Sequence, residues 1–249
     1  MPEKSMTPTA IAAAALQQLA AMADAEKARQ VQKYFKETVR SFGVSSPQVR
    51  ALAKELYVAI KKEWSIQDAI QLCDLLFPRP ELEAKGVAAL ILARYHKSFP
   101  RSLFRTVRSW LAKNYLDNWA SVDVFCPQVL GALLVKYPHL LSAIEKWAAG
   151  PNHWVQRASI VAFLKLVKKD EYQNAAYAMT ARHFANRDDL VQKANGWLLR
   201  EAGKRDMKRL EKFLLANGPA IPRTTLRYAI ERFPSEKRKR LLRQTRIKK

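Results

Sequence analysis

An all-α fold, arranged as a solenoid of paired helices, is what this sequence predicts, on three observations. Ala, Leu, Lys, Arg, Glu and Gln dominate its 249 residues, and runs of Val, Ile or Thr at period two are absent, which favours helix over strand. Only 7 residues are glycine, and the 12 prolines sit mostly between candidate helices, as in LFPRPE, SFPRS, KYPHL and AGPNH. The third observation is a repeat. VQRASIVAFLKLV begins at Val155 and VQKANGWLLREAG at Val191, a spacing of 36 residues, and a looser relative, EAKGVAALILARY, lies two such periods upstream. A period of this length, built from helix pairs, marks solenoids of the HEAT or armadillo kind, which present a long concave surface.

The elements follow in order. Thr7 or Thr9 caps a first helix, and AEKARQVQKYFKETV gives a second. Ser46 serves as N-cap of the third, SSPQVRALAKELYVAIKK, with Pro47 in its first turn. SIQDAIQLCDLLF, PELEAKGVAALILARY, RSLFRTVRSWLAKNY and a run beginning at Trp119 come next. PHLLSAIEKWAAG stops at Gly150, a natural helix end. NHWVQRASIVAFLKLVKK, EYQNAAYAMTARHFAN, DDLVQKANGWLLREAGK, DMKRLEKFLLANG and PRTTLRYAIERF complete the set. One helical domain over 1–249 is expected, with a basic tail at 235–249 that is either a frayed arm or a terminal helix.

Lys and Arg number 44 against 22 Asp and Glu, a formal net charge of +22. Such an excess points to a polyanionic partner, nucleic acid first. A membrane surface ranks second, since no stretch approaches about 18 consecutive apolar residues. The opening MPEKSMTPTAIAAAALQQLAAMADA resembles a secretory leader only superficially, because two glutamines interrupt a weak apolar region. Cys73 and Cys126 sit in apolar helical runs, without a CxxC, and read as small core residues in a reducing compartment. A cytoplasmic, nucleoid-associated monomer is the expectation.

Motifs for nucleotide cradling, zinc proteolysis and serine hydrolysis are missing, and the four histidines have no metal-like spacing. Any chemistry must come from Asp, Trp, Arg and Lys. Three clusters join an indole to a charge: Trp119 with Asp123, Trp154 with Arg157, and Lys193, Trp197 and Arg200 at i, i+4, i+7. Each alone fits a tryptophan in a helix interface beside an outward-reaching charge. Three within 90 residues of a strongly basic chain suggest more.

NWASVDVF, WVQRA and KANGWLLRE, in this order and at these separations, resemble the AlkD-type DNA alkylation repair glycosylases, HEAT-like-repeat enzymes that remove cationic N3- and N7-alkylated purines from duplex DNA. The likeness runs from about residue 25 to 233. It implies a right-handed α-solenoid with a concave basic DNA-binding face. It also implies a catalytic carboxylate at Asp123, lesion-framing indoles at Trp119 and Trp197, a backbone-gripping arginine at Arg157 and a cleft tyrosine at Tyr34. Lys193 and Arg200, on the face of Trp197, suit phosphates. Many relatives carry paired tryptophans before SVD, whereas Asn118 and Ala120 flank Trp119 here. The resemblance implies no metal and no organic cofactor.

This chemistry suits these residues. A purine alkylated at N3 or N7 is already a cationic leaving group, so no acid has to protonate it. Positive charge develops on the deoxyribose as the glycosidic bond breaks, and a carboxylate stabilises it and orients water. The expected function is therefore a monofunctional DNA glycosylase acting on duplex DNA that contains alkylated purines. Two alternatives stay open: an inactive DNA-binding relative, and a protein–protein scaffold of the HEAT type.

Overall fold

The computed structural model describes residues 6–246, and among these the chain is all-α apart from short 3-10 turns and one isolated bridge between Arg40 and Glu81. It forms two compact units that meet in sequence between Val129 and Leu130.

The first unit contains α1 (Pro8–Ala21), α2 (Ala25–Gln32), α3 (Ser46–Ile60), α4 (Ile66–Leu76), α5 (Leu82–Arg94), α6 (Leu103–Ala112) and α7 (Trp119–Gln128). Their starts follow local capping chemistry. The Thr7 hydroxyl accepts from the Ala10 amide at 3.2 Å, and Asp24 Oδ1 accepts from the amides of Glu26 and Lys27, both at 3.0 Å. Reciprocal capping boxes open α3 (Ser45 with Gln48) and α4 (Ser65 with Asp68). The cap of α3 is thus Ser45 rather than Ser46, because Gln48 stands three residues after it. The helix expected over 25–39 ends at Gln32. There the Gln32 amide nitrogen donates to the carbonyl of Glu37 at 2.8 Å and its oxygen accepts from Val39 N at 3.0 Å, so a side chain supplies the bonds a continued helix would make.

α5 is the centre of this unit. It packs on α3, α4 and α7, burying Ala84, Val87, Ala88, Ile91 and Leu92. Beside it Phe77, Trp110 and Phe125 form an edge-to-face cluster with centroids 5.0, 5.4 and 6.0 Å apart. Each fully buried ring contributes about 1.5–3 kcal/mol through burial alone. Cys73 and Cys126 are both buried in this core.

The second unit contains α8 (Leu130–Lys136), α9 (Leu141–Glu145), α10 (His153–Val161), α11 (Phe163–Leu166), α12 (Gln173–Arg182), α13 (Asp189–Gly203), α14 (Met207–Asn217), α15 (Arg223–Ala229) and α16 (Ser235–Gln244). α13 packs most extensively on α15 and also on α10 and α12. A β-carbon at Gly196 would lie 2.5 Å from the Thr225 carbonyl oxygen, so the glycine in NGW is what lets α13 and α15 approach. The basic tail is a docked helix and not a frayed arm. Leu241 is fully buried, Arg223 donates to Leu242 O at 3.0 Å and to Thr245 Oγ1 at 3.1 Å, and Glu211 pairs with both Lys237 and Arg240. Residues 247–249 of the expected tail lie outside the described residues.

By length and composition, Trp119–Lys136 would be long and apolar enough to cross a membrane, but half of it is buried as protein core, spread over α7 and α8.

Candidate nucleic-acid interface

The site residues are set out by the repeat. N-caps recur at Ser45 (α3), Glu81 (α5), Asn118 (α7), Asn152 (α10), Asp188 (α13) and Pro222 (α15), in steps of 34 to 37 residues. Within each unit these helices pack on one another in sequence, α3 on α5 on α7, and α10 on α13 on α15. The fifth residue after each cap is, in turn, Arg50, Gly86, Asp123, Arg157, Lys193 and Arg227. One helical position therefore carries four cations, one glycine and one acid, and the acid is Asp123.

α7 is where that acid stands. The Asn118 carbonyl oxygen of the side chain accepts from the Ser121 amide at 2.9 Å, fixing the first turn. Trp119 and Asp123, one turn apart on the same face, are both half-buried. The Trp119 ring stacks on Phe35, centroids 4.9 Å apart and planes 19° from parallel. Behind this stack opens a cavity of about 310 Å³ lined by Val49, Leu82, Gly86, Leu90, Trp119 and Val124, with Arg50 and Tyr34 also on its wall. Gly86, having no side chain at the shared position, leaves this space. Tyr34 lies in the turn after α2, 76% exposed, and Phe35 is the neighbour that meets the indole.

The second unit holds the remaining residues. Arg157 is 5% exposed and donates through Nη1 to the carbonyl of Leu190, just inside α13. Trp154, next to it, is buried and packs edge-on against His153, whose Nδ1 lies 3.1 Å from Asp188 Oδ2. Trp197 is half-buried. Lys193 Nζ sits 2.7 Å from Asp189 Oδ2, a hydrogen-bonded pair that holds the ammonium above the ordinary lysine range. Arg200 pairs with Glu231, with Glu201 Oε1 3.9 Å from its Nε. Burial, with Arg246 and Arg227 close by, pulls Arg223 below the usual arginine range. Such mutual repulsion is relieved by a bound polyanion.

A family profile described as DNA alkylation repair enzyme matches residues 15–233. The chain belongs to that family. Among solved structures, a predicted DNA alkylation repair enzyme from Enterococcus faecalis superposes with a TM-score of 0.74 at 19% identity, over 86% of this chain and 98% of the other. At that identity it shows a shared fold. No curated protein matches the chain.

Within a DNA alkylation repair family, the arrangement offers a carboxylate and an indole on one helix face of the first unit, with cations at the equivalent position of four other helices. Among the described residues no group of His, Cys, Asp and Glu is placed to hold a metal ion. Sequence reading missed Phe35, Arg50, Gly86 and Arg227. The signal that finds the last three is the recurring cap, a Ser, Asn or Asp in four of its six places, and not the sequence between caps.

Proposed function

We propose that the chain is a monofunctional DNA glycosylase that hydrolyses the N-glycosidic bond of positively charged N3- or N7-alkylpurines in duplex DNA, acting in the cytoplasm as a monomer. The observation that carries this is Asp123: a carboxylate at a helical position that holds a cation on four of the other five helices, beside a half-exposed indole, in a chain of net charge +22. Cations at that position neutralise phosphates and release counterions, a contribution independent of sequence. An acid among them repels phosphate and attracts a cation. The oxocarbenium-like sugar and the alkylated base are such cations.

The mechanism follows. Trp119 and Trp197 offer π faces to the electron-poor nucleoside, an attraction of about 0.5–2 kcal/mol. As the bond from C1′ to the purine breaks, its electron pair leaves with the already cationic base, which departs neutral. Asp123 stabilises the sugar cation and orients a water whose oxygen bonds to C1′ as one of its protons passes by way of the carboxylate to solvent. Arg157, Lys193 and Arg200 bind the backbone, and Tyr34 borders the lesion.

The test is release of free base from a duplex carrying one 7-methylguanine, compared with the same duplex unmodified. Release from the first and not the second is expected. Salt-sensitive binding without release would move the protein to the non-catalytic DNA binders, and absence of both would leave a protein scaffold.

A further inference from the structure

α5 places no side chain at the shared repeat position, since Gly86 stands there, yet two charges just before it are buried. Glu83 is 6% exposed and Lys85 is 2% exposed. Two residues apart on a helix, they project to different sides. Glu83 reaches the segment joining α2 to α3. Its carboxylate accepts from Ser41 Oγ at 2.6 Å and from the amides of Phe42, Gly43 and Val44 at 3.1, 3.0 and 3.1 Å. That binding needs a compact loop, and Gly43 supplies it with φ +76°, where a β-carbon would lie 2.1 Å from Asp24 O. Lys85 reaches the turn that starts α7. Its ammonium donates to Tyr115 O and to Asp117 Oδ1, both at 2.7 Å. Asp117 Oδ1 also accepts from Asn118 Nδ2 at 3.0 Å, and Asn118 is the cap of α7.

A cation in the first turns of a helix stands against the helix dipole, and a buried one is retained only with close partners. Lys85 therefore serves something other than α5. Both charges end at one place. Glu83 fixes the loop that follows Phe35, and Lys85 fixes the turn before Trp119, the two rings that stack.

We propose that Lys85 and Glu83 are positioning residues for the substrate face: from α5 they set the first turn of α7 and the loop facing it, and so the orientation of Trp119 and Asp123. This rests on the reading that the face carrying Asp123 meets the lesion.

The experiment measures amide hydrogen exchange and single-turnover base release on intact protein with Lys85→Met, Asp117→Asn and Glu83→Gln. Asp117 is half-exposed, so its variant keeps the fold even where Lys85→Met does not. Exchange across 116–124 should rise about tenfold in Lys85→Met and less in Asp117→Asn, with α3 unchanged. Glu83→Gln should raise exchange in 41–45 instead. Base release at saturating DNA should fall about tenfold in Asp117→Asn, with the half-saturating DNA concentration unmoved. Unchanged exchange at 116–124 in both Lys85→Met and Asp117→Asn overturns the proposal, as does a rise spread evenly over 6–129, which marks a general stabilising pair. If the wild type releases no base, the glycosylase reading fails, and the exchange pattern still decides whether α5 sets α7.

Discussion

Replacing Gly196 by alanine tests whether the α13–α15 contact is as close as the repeat requires. An added β-carbon would sit 2.4 Å from Tyr228 Cβ and 2.5 Å from Thr225 O. Neither is the end of a flexible chain, and carbon atoms pack at about 3.5–4.0 Å, so the two helices must separate by roughly 1 Å. Overpacking of this kind costs about 1–3 kcal/mol. Two such contacts at once put the cost at the upper end, about 2–3 kcal/mol, and alanine returns about 1 kcal/mol through helix propensity, leaving a net loss of about 1–2 kcal/mol. For a chain of this size that lowers Tm by roughly 2–8 °C. Gly150→Ala is the matched control, since φ is −72° there and the nearest atom to a new β-carbon is Trp147 O at 3.6 Å. Its Tm should stay within about 2 °C of wild type. Thermal unfolding followed by circular dichroism reads both. A Gly196→Ala protein as stable as Gly150→Ala would refute the close approach and the argument that NGW is first a packing motif.

Asp123→Asn should lower single-turnover release of 7-methylguanine by on the order of a thousandfold, from about 4 kcal/mol of attraction at about 4 Å and an effective dielectric of about 20, while duplex binding persists. A loss under tenfold would remove Asp123 from the chemistry. Arg227→Gln should weaken binding to undamaged duplex and lower the slope of log K against log salt by about 0.9, the value for one phosphate contact; an unchanged slope removes Arg227 from the interface. His183 is buried, 3.1 Å from Ser159 Oγ, and burial pushes it down to about 4. The unfolded chain takes up that proton near pH 6.5, so stability is full above that pH and declines as pH falls toward 4, by a few kcal/mol at most. Urea unfolding at pH 7 and pH 5 measures the decline, and His183→Gln should flatten it.

How much of this was legible in the sequence depends on which interactions are local. The all-α class and most helix starts were, because Thr7, Ser65, Asn152 and Asp188 cap from within their own segments. The end of α2 was not. Its residues favour helix, and the chain turns because Gln32 bonds to atoms up to seven residues later. Three repeat copies were readable from similar residues, yet the cap recurs six times, since packing constrains the start and phase of each helix more tightly than the residues between. Phe35 was invisible for a related reason: its partner Trp119 is 84 positions away, and nothing local distinguishes it from Tyr34.

The candidate site was legible as residue types and opaque as environments. Lys193 and Arg200 read as open cations beside an indole, but their helix neighbours and Glu231 supply acids, so part of the charge excess is already answered within the protein. Arg157 read as an outward grip, yet it is nearly enclosed and bonded to the start of α13. An arginine so held loses little side-chain entropy when an anion reaches it, which suits a residue that must present one geometry, whereas Arg50 and Arg227 are exposed and suit tracking a backbone. The same division explains Asp123. A carboxylate on a solvated surface would be screened by the many cations of this chain, and one fully buried would be neutralised by protonation. Asp123 lies between these limits, half-buried on a helix whose start is set by Asn118, and the proposed reaction would draw on that placement. The position that carries a cation on α3, α10, α13 and α15 carries an acid on α7 alone, which is the arrangement the proposed reaction would use.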